Sequence, residues 1–316
     1  MIKAEKVKIS QLALILLIVI PGGKYLSLPS YMYSISGRDS WLSFLLLFVL
    51  DFVCFLFTLW AINLNRRGLS LNEILTRTLS PVGAKIIFAV FTVFCLLRVT
   101  VLLLGCVDLF SSTFVINTNW LAYIIPIALL VAVSLVQGVR NVARLTEMLF
   151  VFVMLALLSI IFLSLRSADF SNLRPFLDEG FKPVLEGSLD GSFWFADSVF
   201  LLFFLEKVEA PKKKDNVLLC VMLLIGILVT MALVVLYVAL FGNASGINGI
   251  AITKVSQFNI SNNSYGRLDW LSISIWMCSI FIKIIVLSFC AYSAIVWTVG
   301  YKKEKFNWWV FLSMVV

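Results

Sequence analysis

Leu17–Ile18–Val19–Ile20–Pro21–Gly22–Gly23–Lys24–Tyr25 interrupts the first long apolar run of the chain, residues 10–33, near its middle. Proline lacks an amide donor, and two glycines remove the side chains that favour a helix. Unwound backbone at membrane depth persists only where it lines a cavity or is buried in protein. The Pro21–Gly22–Gly23 break therefore marks either a ligand site built from backbone amides and carbonyls or a packing kink, since Gly and Pro are common in membrane helices.

The surroundings of this break are those of a membrane protein. Of the 316 residues, 61% are hydrophobic and 13% charged, the latter about half the share of a soluble domain. A soluble globule of this size could not hide so much apolar surface. A membrane helix needs about 20 mostly apolar residues. Eight complete candidates run over 10–33, 40–63, 86–110, 119–137, 146–165, 190–208, 216–241 and 268–299. A ninth starts at Asn307 and stops at Val316, so the chain reads as one membrane domain, 1–316, truncated inside a helix.

The +8 net charge does not form a nucleic-acid stripe. Instead Lys and Arg alternate between loops. Lys3, Lys6 and Lys8, then Arg66, Arg67, Arg77 and Lys85, then Arg140 and Arg144, then Lys207 and Lys212 to Lys214, then Lys302, Lys303 and Lys305 fall on one side. The loops between them are poor in basic residues or balanced. The rich side is expected to be cytoplasmic, with the N-terminus there. The lysines before residues 11–20 resemble a signal peptide's start, but no small-residue cleavage site follows, so this segment reads as the first membrane helix.

Two loops carry structure of their own. Ser70–Leu71–Asn72–Glu73 is a capping box, and Leu71, Ile74, Leu75 and Leu79 share one face of the helix it opens. That predicts a short amphipathic helix on the cytoplasmic surface. The 166–190 loop, with its prolines and acids, reads as an ordered segment on the other side.

The sixth apolar run opens with Gly191–Ser192–Phe193–Trp194–Phe195–Ala196–Asp197–Ser198, polar in its outer half and carrying an acid within the span. Helices 1 and 6 are corresponding members of two five-helix halves. Interrupted segments at matching places in two halves are the best sequence pointer to a midplane transporter-like site. Further charges sit inside spans: Asp51 in helix 2, Arg98 in helix 3, Lys24 after the first break and Lys283 in helix 8. Such charges are costly and usually matter. Helices 2 and 3 run antiparallel, which lets Asp51 and Arg98 meet as an ion pair. Lys24 either snorkels outward or joins the site, and Lys283 pairs with a carbonyl or with Asp197. In sodium-coupled carriers an ion bridges helices 1 and 8. Ammonium groups at Lys24 and Lys283 would replace it and make ligand binding sodium-independent.

The chain has no His, no paired-carboxylate motif and no phosphate-cradling glycine loop, so no enzyme, no catalytic residue, no cofactor and no metal site is expected. Its six Cys lie in apolar runs without zinc-ligand spacing.

Ser27–Leu28–Pro29 followed by Gly37–Arg38–Asp39–Ser40–Trp41–Leu42–Ser43 resembles the helix 1–helix 2 junction of the spore germination permeases. These are the B subunits of Ger-type nutrient germinant receptors, in the amino acid–polyamine–organocation superfamily. Gly138–Val139–Arg140–Asn141–Val142–Ala143–Arg144–Leu145–Thr146–Glu147 is similar to the family's segment before helix 5. Leu173–Arg174–Pro175–Phe176, with Gly180, Pro183 and Leu185–Glu186–Gly187, resembles its loop before helix 6. The resemblance covers essentially the whole chain and departs at the end, where most of helix 9 and all of helix 10 are missing. It implies a LeuT-like fold of two inverted five-helix repeats with helices 1 and 6 broken. It implies sensing of a small nutrient, often an amino acid, in the inner membrane of a spore-forming bacterium, with a membrane A subunit and a C-subunit lipoprotein as partners. Carried onto these residues, the ligand site is Ile20, Pro21, Gly22, Gly23 and Lys24 with Phe193, Trp194, Phe195, Ala196 and Asp197. Backbone amides would meet a ligand carboxylate, and the aromatic side chains would either cover the ligand or face lipid. The competing functions are an amino acid permease, sodium-independent or proton-coupled, and a scaffold that binds nothing.

Overall fold

Uninterrupted apolar runs with few helix breakers wind into long helices, because in hydrocarbon each backbone donor and acceptor must be satisfied within its own segment. The computed structural model describes residues 7–65, 68–113, 119–208, 213–247, 251, 255 and 269–300. The expected ninth segment lies outside them. The described residues form helices α1 (Ile9–Val19), α2 (Leu28–Ser36), α3 (Ser40–Leu64), α4 (Leu71–Thr78), α5 (Pro81–Thr113), α6 (Leu121–Gln137), α7 (Val139–Leu165), α8 (Lys182–Gly191), α9 (Lys213–Phe241) and α10 (Asp269–Val299). A long 3-10 helix, Asp197–Lys207, follows α8. No strand occurs among the described residues, and six helical spans are long and apolar enough to cross a membrane.

The centre of the bundle is α10. Of its most apolar window 78% is buried, against 22% for α5 and 28% for α7. It packs chiefly on α5 and α7, while α1 packs on α9 and α7. The outer helices turn large apolar side chains away from the protein, among them Phe57, Trp60, Val82, Val90, Met148 and Phe162. A face of that kind suits lipid and would be a liability in water.

The first apolar run is not one helix. α1 has 11 residues, about 16 Å at 1.5 Å per residue, roughly half of a 30 Å hydrocarbon core. From Ile20 to Ser27 the chain turns, and α2 resumes with Pro29 in its first turn, where a missing amide costs nothing. The sixth run is also broken, between α8 and the 3-10 helix. Its pivot is Ala196, in the left-handed region at φ 62°.

The two ends of the bundle are closed differently. At the end rich in Lys and Arg, the Val7 amide donates to the Lys207 carbonyl at 2.8 Å, joining the start of α1 to the end of the 3-10 helix. The Lys207 ammonium lies 4.2 Å from the Phe289 ring centroid, and Gln11 Nε2 donates to Glu147 Oε2 at 2.9 Å. At this end α4 forms with its capping box complete: Glu73 N donates to Ser70 Oγ at 3.2 Å and Ser70 N to Glu73 Oε2 at 2.9 Å. Leu71, Ile74 and Leu75 pack against the core, while Leu79, just past the helix, is exposed.

At the opposite end the 166–190 segment is ordered and strapped down. Arg38 Nη1 donates to the Arg174 carbonyl at 2.7 Å, and Asp39 Oδ2 accepts from the Leu177 amide at 3.0 Å. Asn172 Nδ2 donates to the Ala239 carbonyl at 2.9 Å. Asp169 caps the short turn Phe170–Leu173, and hydrogen bonds from the Ser171 side chain and amide hold its carboxyl below the usual range. The buried Ser36 and Ser43 hydroxyls donate to the Pro183 and Val184 carbonyls at 2.9 and 3.0 Å, using the second lone pair that each carbonyl in the first turn of α8 still offers. Gly187 permits this contact, since a Cβ there would run into Ser36 Oγ.

Asp39 is buried and supplies the acceptor for a loop amide. Asp39→Ala is expected to cost about 1–3 kcal/mol, the usual penalty for orphaning a buried donor. A lower melting temperature and faster proteolysis between Phe170 and Phe181 would register it. Unchanged proteolysis would show that the strap does not depend on Asp39.

Candidate functional site

The two breaks face each other. Between α1 and α2 the turn is held by its own backbone: Gly22 N donates to Ile18 O at 3.2 Å, Lys24 N to Pro21 O at 3.3 Å and Leu26 N to Gly23 O at 3.4 Å. Gly23 sits at φ 83°, a conformation that favours glycine, and a Cβ there would strike the Leu102 side chain of α5. A Cβ on Gly22 would lie 3.0 Å from the Ser279 carbonyl of α10. The break is therefore pressed between α5 and α10, and the amides of Gly22, Lys24 and Leu26 are already bonded.

This geometry sends Lys24 inward. Its side chain is fully buried, and Nζ donates to the Ile20 carbonyl at 3.0 Å and forms an ion pair with Asp197 Oδ2. Snorkelling does not occur. Asp197 takes two more cations. Lys283 Nζ of α10 lies 2.9 Å from the same Oδ2, and Arg98 Nη2 of α5 lies 2.8 Å from Oδ1. One carboxylate thus gathers cations from the helix 1 break, from α5 and from α10, all at 2% exposure or less. Ordinary carboxylate chemistry explains the number, because two oxygens offer about four lone-pair sites.

Arg98 does more than neutralise. Its Nη1 donates to the Phe195 carbonyl at 3.1 Å and its Nη2 to the Trp194 carbonyl at 3.0 Å. These carbonyls belong to the interruption between α8 and the 3-10 helix. The guanidinium fork thereby takes up acceptors that a continuous helix would have used itself. The sequence places Arg98 opposite Asp51. In the structure it reaches Asp197 instead, because the unwound segment at 194–197 comes closer and offers both charge and carbonyls. Asp51, also buried, receives the Ser198 hydroxyl on Oδ1 at 3.3 Å, and its Oδ2 has no hydrogen-bond partner among the described residues.

Aromatic rings close the cluster. Phe195 is buried, with ring centroids 4.9 Å from Phe48 and 6.0 Å from Phe44, both on α3. The Lys24 ammonium lies 4.9 Å from the Phe195 centroid and 5.8 Å from that of Phe48, within cation–π range. Phe193 packs on Phe94 at 5.7 Å, and Trp194 remains partly exposed. Of the aromatic pair Trp194–Phe195, then, only Phe195 covers the charges. Ser198, Phe44 and Phe48 join the site although the sequence offered no reason to single them out. A serine beside an acid and phenylalanines in an apolar helix carry no signal until the tertiary fold brings them together.

Next to the first break, Tyr25, Pro29, Leu233, Tyr237, Ala251 and Val255 line a cavity of about 10 Å³, room for a single water. A molecule larger than water needs an opening of the bundle to enter this cavity.

Removing one partner of a buried ion pair leaves the others uncompensated and costs about 3–5 kcal/mol. Asp197→Asn orphans three cations and is expected to reach or exceed that range in thermal unfolding in detergent. Lys283→Met leaves Asp197 with Lys24 and Arg98 and should cost clearly less. The reverse order would mean that Asp197 is not the hub.

The comparisons with known proteins agree with this architecture. A family model described as "Spore germination protein", that of the spore permeases, matches residues 6–316. The chain is 23% identical over 260 residues to the Bacillus anthracis protein "Spore germination protein XB", covering 80% of this chain and 71% of that one. It is 26% identical over 166 residues to "Spore germination protein YndE" of Bacillus subtilis (strain 168), covering 50% of this chain and 44% of that one. A multi-pass helical chain matched by this family model from residue 6 to its last residue belongs to the spore germination permease family.

Proposed function

We propose that this chain is the membrane subunit of a spore nutrient-germinant receptor and binds a small nutrient, of amino acid type, between the broken helices. The observation that carries this is the meeting of both interruptions at one buried carboxylate, Asp197, in a chain of this family. Helix interruptions and midplane charges are costly, and a scaffold would need neither. In this proposal the fold is LeuT-like with two inverted repeats, the N-terminus is cytoplasmic and the membrane is the inner membrane of a spore-forming bacterium. A membrane A subunit and a C-subunit lipoprotein complete the receptor.

The chemistry suits a ligand carboxylate. Lys24 and Arg98 already hold a carboxylate, that of Asp197, through an ammonium and a guanidinium. An incoming carboxylate can trade places with Asp197 on either of them. Such an exchange frees the segment that carries Asp197 and couples binding to movement of the 3-10 helix, because the ligand acts through its differential contacts in the two states. The aromatic cover of Phe195 and Phe48 keeps water from competing.

A second reading, an amino acid permease, has one observation in its favour. The ammonium groups of Lys24 and Lys283 both sit on Asp197, fixed cations where a sodium-coupled carrier would place its ion. Transport would then be sodium-independent or proton-coupled.

The test is binding of an amino acid panel to the purified protein, with and without sodium, followed by uptake into proteoliposomes. Saturable binding that ignores sodium and falls at least about tenfold in Gly23→Trp, where the new side chain meets Leu102, supports a site at the break. Net uptake would favour the permease. No binding by a sample with a cooperative melt would favour the scaffold, and binding that rises steeply with sodium would remove the role given to the lysines.

A further inference from the structure

Asp51 and Asp197 are two buried carboxyl groups joined by one short stretch of structure, yet their surroundings differ sharply. Asp197 has an ammonium, a second ammonium and a guanidinium at bonding distance. Asp51 has no cation within 4.0 Å among the described residues, a single hydroxyl donor at 3.3 Å and an oxygen with no partner. An ionised carboxylate out of water needs several donors, and without them the neutral form is favoured. Pairs of titratable groups whose environments push them apart divide into one that holds charge and one that holds a proton.

We propose that Asp51 is a proton-binding site, neutral while the cage around Asp197 is closed and a second carboxylate for the same cations once its proton leaves. The charged groups that act on it are Lys24 from the first break, Asp197 from the 3-10 helix and Lys283 from α10. Of the other elements packed on α3, α2 brings Tyr31 and Tyr33, the turn Gly37–Asp39 brings Arg38 and Asp39, α8 brings Lys182, Glu186 and Asp190, and α9 brings Lys214, Asp215, Cys220 and Tyr237. On α5, Arg98 is committed to Asp197 and to two carbonyls.

Loss of the proton breaks the O–H bond of the Asp51 carboxyl and passes the proton to water that enters as the bundle opens. The new anion then competes with Asp197 for Lys24 and Lys283. Ser198 links the two events, since its hydroxyl bonds Asp51 while its backbone follows Asp197 directly. The protonation state of one side chain on α3 thereby biases where the 3-10 helix is held. The proposal goes beyond nutrient binding and needs no ligand for its test, so its outcome is independent of whether a nutrient binds.

Infrared spectroscopy of the full chain, in a detergent without ester groups, reads the carbonyl stretch of a protonated carboxyl directly. At neutral pH the wild type is expected to show this band. Asp51→Asn should abolish it, and Ser198→Ala should shift its frequency by removing the hydrogen bond. Asp51→Asn imitates the neutral acid and is expected to melt like the wild type. A wild type without the band, or an Asp51→Asn protein that keeps it, overturns the proposal. If Asp51→Asn fails to fold, the role as a neutral group is refuted on stability. The Ser198→Ala spectrum is an independent check on the origin of the band: a shift assigns it to Asp51, and no shift means that it arises elsewhere and overturns the proposal.

Discussion

The carboxylate of Asp197 receives Lys24, Lys283 and Arg98 in a region with no access to solvent. Each of those cations, alone in hydrocarbon, would be unfavourable by several kcal/mol. Their arrangement follows from that cost. Lys24 can be where it is because Pro21, Gly22 and Gly23 let the chain turn it inward. Lys283 can sit on the most buried helix because Asp197 faces it. Arg98 can point from α5 into the bundle because the interruption at residues 194–197 supplies carbonyls as well as charge. Removing the carboxylate would leave each of these choices without its reason.

The same interaction fixes the two broken helices relative to each other. Neither break has enough internal hydrogen bonds to stand alone. The first uses turn bonds and the contact with α5 and α10; the second uses the guanidinium of Arg98. At the ends of the bundle, the Val7–Lys207 pairing and the strap over Arg38 and Asp39 tie the two rims. The described residues are thus held in the middle by charge and at the rims by neutral or charge-assisted hydrogen bonds. Rim contacts of this type are individually weak.

Much of the fold was legible because hydrocarbon imposes simple rules. Apolar run length located α3, α5, α6, α7, α9 and α10, and Pro21–Gly22–Gly23 located the first break. The capping box at Ser70 and Glu73 gave α4. The interruption at 195–196 was visible only as a polar stretch before Asp197, since a left-handed alanine leaves no mark in a sequence. The charged residues Lys24, Arg98, Asp197 and Lys283 were legible as anomalies in apolar runs. Their partners were not. Pairing Asp51 with Arg98 follows from helix order alone, whereas the actual pairing depends on how far an unwound segment carries Asp197 across the bundle. Ser198, Phe44 and Phe48 are ordinary residues made special by position.

The 3-10 helix from Asp197 to Lys207 has 11 residues, far longer than the three or four usual for that geometry. At about 2.0 Å per residue it spans roughly 22 Å, whereas the same residues wound as an α-helix would span roughly 16 Å. Its two ends are anchored at different depths, Asp197 to the buried cations Lys24, Lys283 and Arg98 and Lys207 to the residues before α1. Rewound as an α-helix, the segment would be shorter by about 6 Å, so a change of winding here would move one anchor relative to the other by that distance.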